Sequence, residues 1–162
     1  MKQNIASLAF VEFIKNYCGE NSIEVLPNGG KNALYCNNGR VSSFADVKDV
    51  HKTAKTIDFI MHDNRGRNIY ISHKRTDGNG GAQANQLKDA ESFLLQSEAN
   101  SNINEIFIAV LDGNYYHDKL EGLKMRFEKE NKMYVCNSDI LVGSILKKLN
   151  KSIDEIIIAL LK

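Results

Sequence analysis

Six consecutive apolar residues, Ile106 to Leu111, stand between Glu105 and the turn-forming pair Asp112-Gly113. A strand that carries apolar residues on both alternating faces has neither face in water. It belongs in the middle of a sheet covered by helices on both sides, and the rest of the chain must supply those layers.

The remaining pattern supplies them. Ile5 to Tyr17 sets Leu8, Val11 and Phe13 among good helix formers and meets Gly19 as a stop, which predicts a helix. Ile23 to Leu26 reads as a short strand ended by Pro27. Asn28 to Arg40 is rich in Gly and Asn and reads as loop, while Val41 to Lys55 suits either a polar helix or another strand. Thr56–Met61 and Asn68–Lys74 are β-rich runs around Asp63–Arg67, a hairpin pattern. A Gly-rich link, Asp77 to Gly81, leads to a helix over Ala82 to Gln96 with Leu87, Ala90, Phe93 and Leu94 on one face. A charged amphipathic helix over Tyr116 to Asn131, a strand at Met133–Cys136, and helices over Ile140–Leu149 and Ile153–Leu161 complete the chain. The expected class is α/β: one domain over residues 1–162, a mixed sheet flanked by helices.

Composition fits a buried core, with 43% hydrophobic and 25% charged residues. Lys plus Arg is 21 against 20 for Asp plus Glu, a net charge of +1. That is not the footprint of a strongly basic nucleic-acid binder, so any positive field must be local or supplied by a metal. Cys18, Cys36 and Cys136 are widely spaced and odd in number, which suits free thiols in a reducing compartment. No apolar run is long enough for a bilayer, and Met1 to Phe13 lacks a signal-peptide pattern. The expectation is a soluble, cytoplasmic protein.

The hairpin carries the chemistry. Ser72 and Lys74 share a strand face with Tyr70, and Ile69, Ile71 and His73 take the other. A lysine closing an apolar strand needs a partner. Asp58, between Ile57 and Phe59, is the natural one. Two registers suit the turn. A three-residue loop at Asn64-Arg65-Gly66 pairs Asp63 with Arg67 and sets Asp58 opposite Ser72, so that Asp58, Ser72 and Lys74 converge. A two-residue loop at Arg65-Gly66 sets Asp58 against His73, with Lys74 behind the sheet.

Asp58 on one strand and Ser72-His73-Lys74 on the next resemble the PD-(D/E)XK nuclease family, the fold of restriction endonucleases. Ser72 stands where that family usually has an acid. The helix that follows, with Gln83 and the Gln86-Leu87 pair, looks like the Gln-bearing helix of RecB-like members. The resemblance covers roughly Ile57 to Cys136, with Ile5 to Tyr17 as the leading helix. It implies Mg²⁺- (or Mn²⁺-) dependent hydrolysis of DNA, with RNA also open. Asp58 would be a metal ligand together with an acid recruited from Asp89, Glu91 or Glu12, and the His73 carbonyl would be a further ligand. Asp46 and Asp49 are weaker choices. Lys74 would orient the attacking water and Gln86 would hold it or touch the backbone. The Gly78–Gly81 segment would let the chain approach phosphate closely.

Simpler readings stand beside these. Asp58 and Lys74 taken alone also suit an ordinary ion pair, and Gln83 and Gln86 suit exposed helix positions. Lys48, Lys52, Lys55, Arg65, Arg67 and Arg75 form either a phosphate-binding rim or solvated turns. His51, His62 and His117 have no metal-ligand spacing and read as surface residues. Tyr115-Tyr116 fits helix-start packing better than base stacking. The chain's small size favours a homodimer with one site per strand, a nicking monomer being the other arrangement. Two further functions compete: a non-catalytic nucleic-acid-binding module on the same fold, favoured by Ser72, and an interaction protein without nucleic acid, favoured by the neutral charge.

Overall fold

β7 (Glu105–Asp112) forms the centre of the sheet, and Ile106 to Leu111 are each 1% exposed or less. The computed structural model describes residues 5–47, 54–77, 83–150, 158 and 160–162. β7 lies parallel to both neighbours, β6 (Asn68–Arg75) and β8 (Met133–Cys136). Beyond β6 the sheet turns antiparallel, through β5 (Phe59–His62) to β1 (Ile23–Val25), in the order β1-β5-β6-β7-β8.

Helices cover both faces, as the central apolar strand requires. On one face α1 (Ile5–Cys18) sets Phe10, Val11 and Ile14 against Phe59, Ile69, Ile71, Ile106 and Ile108. On the other, α3 (Gln83–Ser97) and α4 (Leu120–Phe127) bury Phe93, Leu94, Leu123 and Phe127 against Tyr70, Phe107 and Val135. Each such side chain contributes roughly 1.5–3 kcal/mol over leaving it exposed. The expected mixed α/β architecture is therefore present. None of the described helices is long and apolar enough to cross a membrane.

The β5–β6 hairpin pairs Phe59 with Ile71 and His62 with Asn68. Asp63 N–H donates to the Arg67 carbonyl at 3.2 Å, and Gly66 has φ +78°. This is the three-residue loop, with glycine at the left-handed position that a Cβ would strain. Asp63 holds the turn: its Oδ1 accepts the Arg65 and Arg67 N–H groups at 3.0 and 2.9 Å, and its Oδ2 accepts Arg67 Nε at 2.6 Å.

Several segments depart from expectation. Asn28 to Arg40 is not all loop: β2 (Tyr35–Asn37) turns through Asn38 and Gly39, both at positive φ, into β3 (Arg40–Ser42). An Asn-Gly pair between two short strands is a hairpin turn. Val41 to Lys55 divides into the end of β3, a short α2 (Phe44–Val47) and the start of β4 (Lys55–Thr56), with residues 48–53 outside the described set. β2 pairs with both β3 and β4 in a small second sheet. The helix expected over Tyr116 to Asn131 is a 3₁₀ turn at Asn114–Tyr116 followed by the shorter α4. Lys129 and Met133 exchange backbone hydrogen bonds around Asn131, whose φ is +61°, and this tight turn ends the helix early. A further helical stretch begins at α5 (Ser138–Ile140), capped by Asn137. It widens into a π turn at Leu141–Ile145 and ends as α6 (Leu146–Leu149). The helix expected over Ile153 to Leu161 falls largely outside the described residues.

Candidate active site

The ladder between β5 and β6 stops at Phe59 and Ile71, while β6 runs on to Arg75. Asp58 sits at that step. Its N–H donates to the Ile71 carbonyl at 3.0 Å, and its own carbonyl accepts Leu26 N–H at 3.0 Å. Its carboxylate Oδ2 accepts the His73 N–H at 2.9 Å. The side chain thus replaces a backbone carbonyl where the pairing ends.

The three-residue register brings Asp58, Ser72 and Lys74 to the same place. All three line one chamber of about 330 Å³, together with Lys55, Tyr35 and Asp89. Asp58, Lys74 and Asp89 also line an adjoining cleft of about 850 Å³ that includes Ser7, Arg75 and Gln86. Lys74 Nζ stands 4.0 Å from Asp89 Oδ2, and Lys55 Nζ stands 3.2 Å from Asp89 Oδ1. Burial pushes the Asp58 carboxyl above its ordinary value. The His73 N–H and the Lys74 and His73 charges lower it without cancelling that effect, and the negative charge of Asp89 adds to it.

The other expected site residues divide by position. Gln86 lines the cleft, and its Oε1 accepts the Thr76 hydroxyl. Gln83, three residues earlier at the start of α3, has a buried Nε2 with no hydrogen-bond partner among the described residues. Arg75 lines the cleft and pairs with Asp77 at 2.9 Å. The His73 imidazole lies on the face opposite Lys74, stacked on Phe10 and 2.8 Å from Asp112 Oδ2, so its side chain is engaged in packing and pairing.

Five expected residues lie elsewhere. Glu91 faces α4 and meets Arg126 at 3.5 Å, because two positions along α3 from Asp89 is the wrong side of a helix. Glu12 is exposed, since α1 turns Phe10, Val11 and Ile14 to the sheet. Arg65 and Arg67 belong to the turn at the opposite end of the hairpin from Asp58. Arg67 is buried there, bonded to Asp63 and to the Leu149 carbonyl, and is structural. Asp46 is exposed on α2 and accepts from Ser43. Asp49, Lys48, Lys52, His51 and Gly78–Gly81 lie outside the described residues.

The sequence reasoning missed the partners that hold the site. Asp112 closes the central apolar strand and faces His73, the same signal of a charge at the end of a buried run that singled out Lys74. Among the described residues, no group of three or more His, Cys, Asp or Glu side chains is placed to hold a metal ion. Comparison with family models, with curated proteins and with solved structures returns no match.

Proposed function

We propose that this chain is a metal-dependent nuclease of the PD-(D/E)XK kind that hydrolyses DNA phosphodiester bonds with Mg²⁺ or Mn²⁺. The observation that carries the reading is the meeting of Asp58, Lys74 and Asp89 at one cleft, where the hairpin ladder ends. Ser72 leaves the usual acid position empty of charge, and Asp89, one helix later, stands in for it.

The donors suit a hard cation. Burial and the nearby Asp89 carboxylate raise the Asp58 pKa and Lys74 does not fully offset them, so a bound cation would relieve both carboxylates. Mg²⁺ is commonly held by one or two carboxylates with waters completing its shell, so a third protein acid is not required. When bound, such an ion lowers the pKa of a coordinated water and screens the phosphate. The chain's own groups do the rest. Asp58 and Asp89 would hold the ion, and the His73 N–H fixes the Asp58 carboxylate. Lys74 would orient the water and face the charge that develops on phosphate. Lys55 and Arg75 give the local positive rim that a net charge of +1 cannot supply as a general field. Cutting both strands in one binding event takes two such sites, which a homodimer would provide.

One observation favours a second reading, a non-catalytic DNA-binding module: Asp89 is already engaged by Lys55 and Lys74. Incubation with supercoiled plasmid separates the two. The nuclease nicks or linearises plasmid only with Mg²⁺ or Mn²⁺; Asp58→Ala abolishes cleavage and Lys74→Ala slows it about 10²- to 10³-fold. Salt-sensitive DNA binding with no cleavage in either metal identifies the module instead.

A further inference from the structure

Beyond the groups that would touch metal or phosphate, we infer that Ser138, Asp112 and His73 form a positioning chain that sets Asp58 from the far side of the sheet. Its consequence for metal binding rests on the nuclease reading, but its mechanical part does not. The His73 main-chain N–H is the donor that holds Asp58 Oδ2, at 2.9 Å. The same residue sends its imidazole to the opposite face, where Asp112 Oδ2 meets Nε2 at 2.8 Å. An ionised carboxylate only accepts, so this contact places a proton on Nε2.

Asp112 is itself fixed. Its Oδ1 accepts Ser138 N–H at 2.8 Å, and its Oδ2 also accepts the Ser138 hydroxyl at 2.5 Å. Ser138 opens α5. The imidazole is stacked on Phe10 of α1, with ring centres 4.3 Å apart and planes 16° apart. Its side chain is 3% exposed. An imidazole side chain has two torsions, and a hydrogen bond at one ring nitrogen together with a stacked face fixes both. The backbone at position 73, and with it the N–H offered to Asp58, is therefore set by α1, by the end of β7 and by the helical stretch that begins at Ser138 together.

A buried His–Asp pair that merely stabilises the fold would affect folding alone. The positioning chain affects Asp58 in the folded protein. The test uses the full chain and compares wild type, His73→Gln, His73→Phe and Ser138→Ala. Glutamine presents an N–H where Nε2 stands, whereas phenylalanine keeps the stack on Phe10 and removes the donor. Three quantities are read: the melting temperature, hydrogen exchange of the amide at position 73, and Mn²⁺ affinity by titration.

The expected result is faster amide exchange and roughly tenfold to hundredfold weaker Mn²⁺ binding in folded His73→Phe, the range found when a group supporting a metal ligand is removed. His73→Gln should restore both towards wild type, and Ser138→Ala should show the same change to a smaller degree. Wild-type exchange at position 73 in folded His73→Phe overturns the inference. If His73→Phe does not fold, wild-type exchange in Ser138→Ala overturns it. A wild-type chain that neither binds Mn²⁺ nor cleaves removes the nuclease reading alone, because the exchange comparison still decides whether the chain positions Asp58.

Discussion

Asp58 accepts the main-chain N–H of His73 through its carboxylate, at 2.9 Å, at the point where β5 stops pairing with β6. An asparagine there would keep the hydrogen bond and shed the buried charge. Folding raises the Asp58 pKa above its ordinary value of 3.8, chiefly through burial. The folded state therefore binds the proton more tightly than the unfolded chain. The associated stability is fully present below 3.8 and is lost as pH rises through the raised value. Asp58→Asn should accordingly melt at a higher temperature than wild type at pH 7, with the difference closing below pH 3.8. Thermal melts at the two pH values check the sign.

Asp112 should show the opposite dependence. Burial raises its carboxyl, but the hydrogen bonds from His73 and Ser138 more than offset that, and the net shift is downward. Its contribution is present above the ordinary value and lost as pH falls through the lowered one. Asp112→Ala should thus be less stable than wild type near neutrality, and denaturant titrations should show the gap shrinking in strong acid.

Lys55 and Lys74 both face Asp89, at 3.2 and 4.0 Å. On the nuclease reading, their roles in cleavage would differ. Lys74→Ala should lower single-turnover cleavage about 10²- to 10³-fold, the cost of removing one group aimed at developing charge. Lys55→Met should leave the chemical step nearly intact and weaken DNA binding, reducing the salt slope by about one. It should also tighten Mn²⁺ binding, because Asp89 loses a competing cation. Binding isotherms at several salt concentrations separate these outcomes.

Arg67 tests the division between site and scaffold. Its guanidinium is buried against Asp63 at 2.6 Å, at the turn remote from Asp58. Arg67→Ala strands that carboxylate and should cost about 3–5 kcal/mol of stability, as breaking a buried pair does. Cleavage per folded molecule should stay at the wild-type level. Urea unfolding alongside single-turnover kinetics on the same preparation measures both.

The residues that decide the site were legible to different degrees, for physical reasons. The run from Ile106 to Leu111 determines a covered central strand because no other environment hides both faces. Gly66 makes the three-residue turn possible, and that turn sets the register of the ladder up to Phe59 and Ile71, beyond which Asp58 is held by Ile71, Leu26 and His73. The choice between Asp89 and Glu91 was not readable, since it depends on the rotation of α3 against the sheet. Asn38-Gly39 carried its hairpin signal in a tract dense with Gly and Asn, where the strands on either side are only three residues long. There the stabilising contacts are long-range: Gly39 N–H donates to the Gln96 carbonyl at 2.6 Å, and a Cβ on Gly39 would come within 2.5 Å of the Ala99 backbone. Arg65 and Arg67 were near the site in sequence only, because a hairpin carries its turn to the far end of its strands.

Metal binding tests the central claim most directly. Mn²⁺ titration, followed by the loss of free-ion signal, should show binding by wild type that Asp58→Asn abolishes and Asp89→Asn weakens. Glu12→Gln and Glu91→Gln should leave it unchanged, since those carboxylates lie away from the cleft. Absence of Mn²⁺ binding by the wild-type chain, or wild-type affinity in folded Asp58→Asn, would contradict the account.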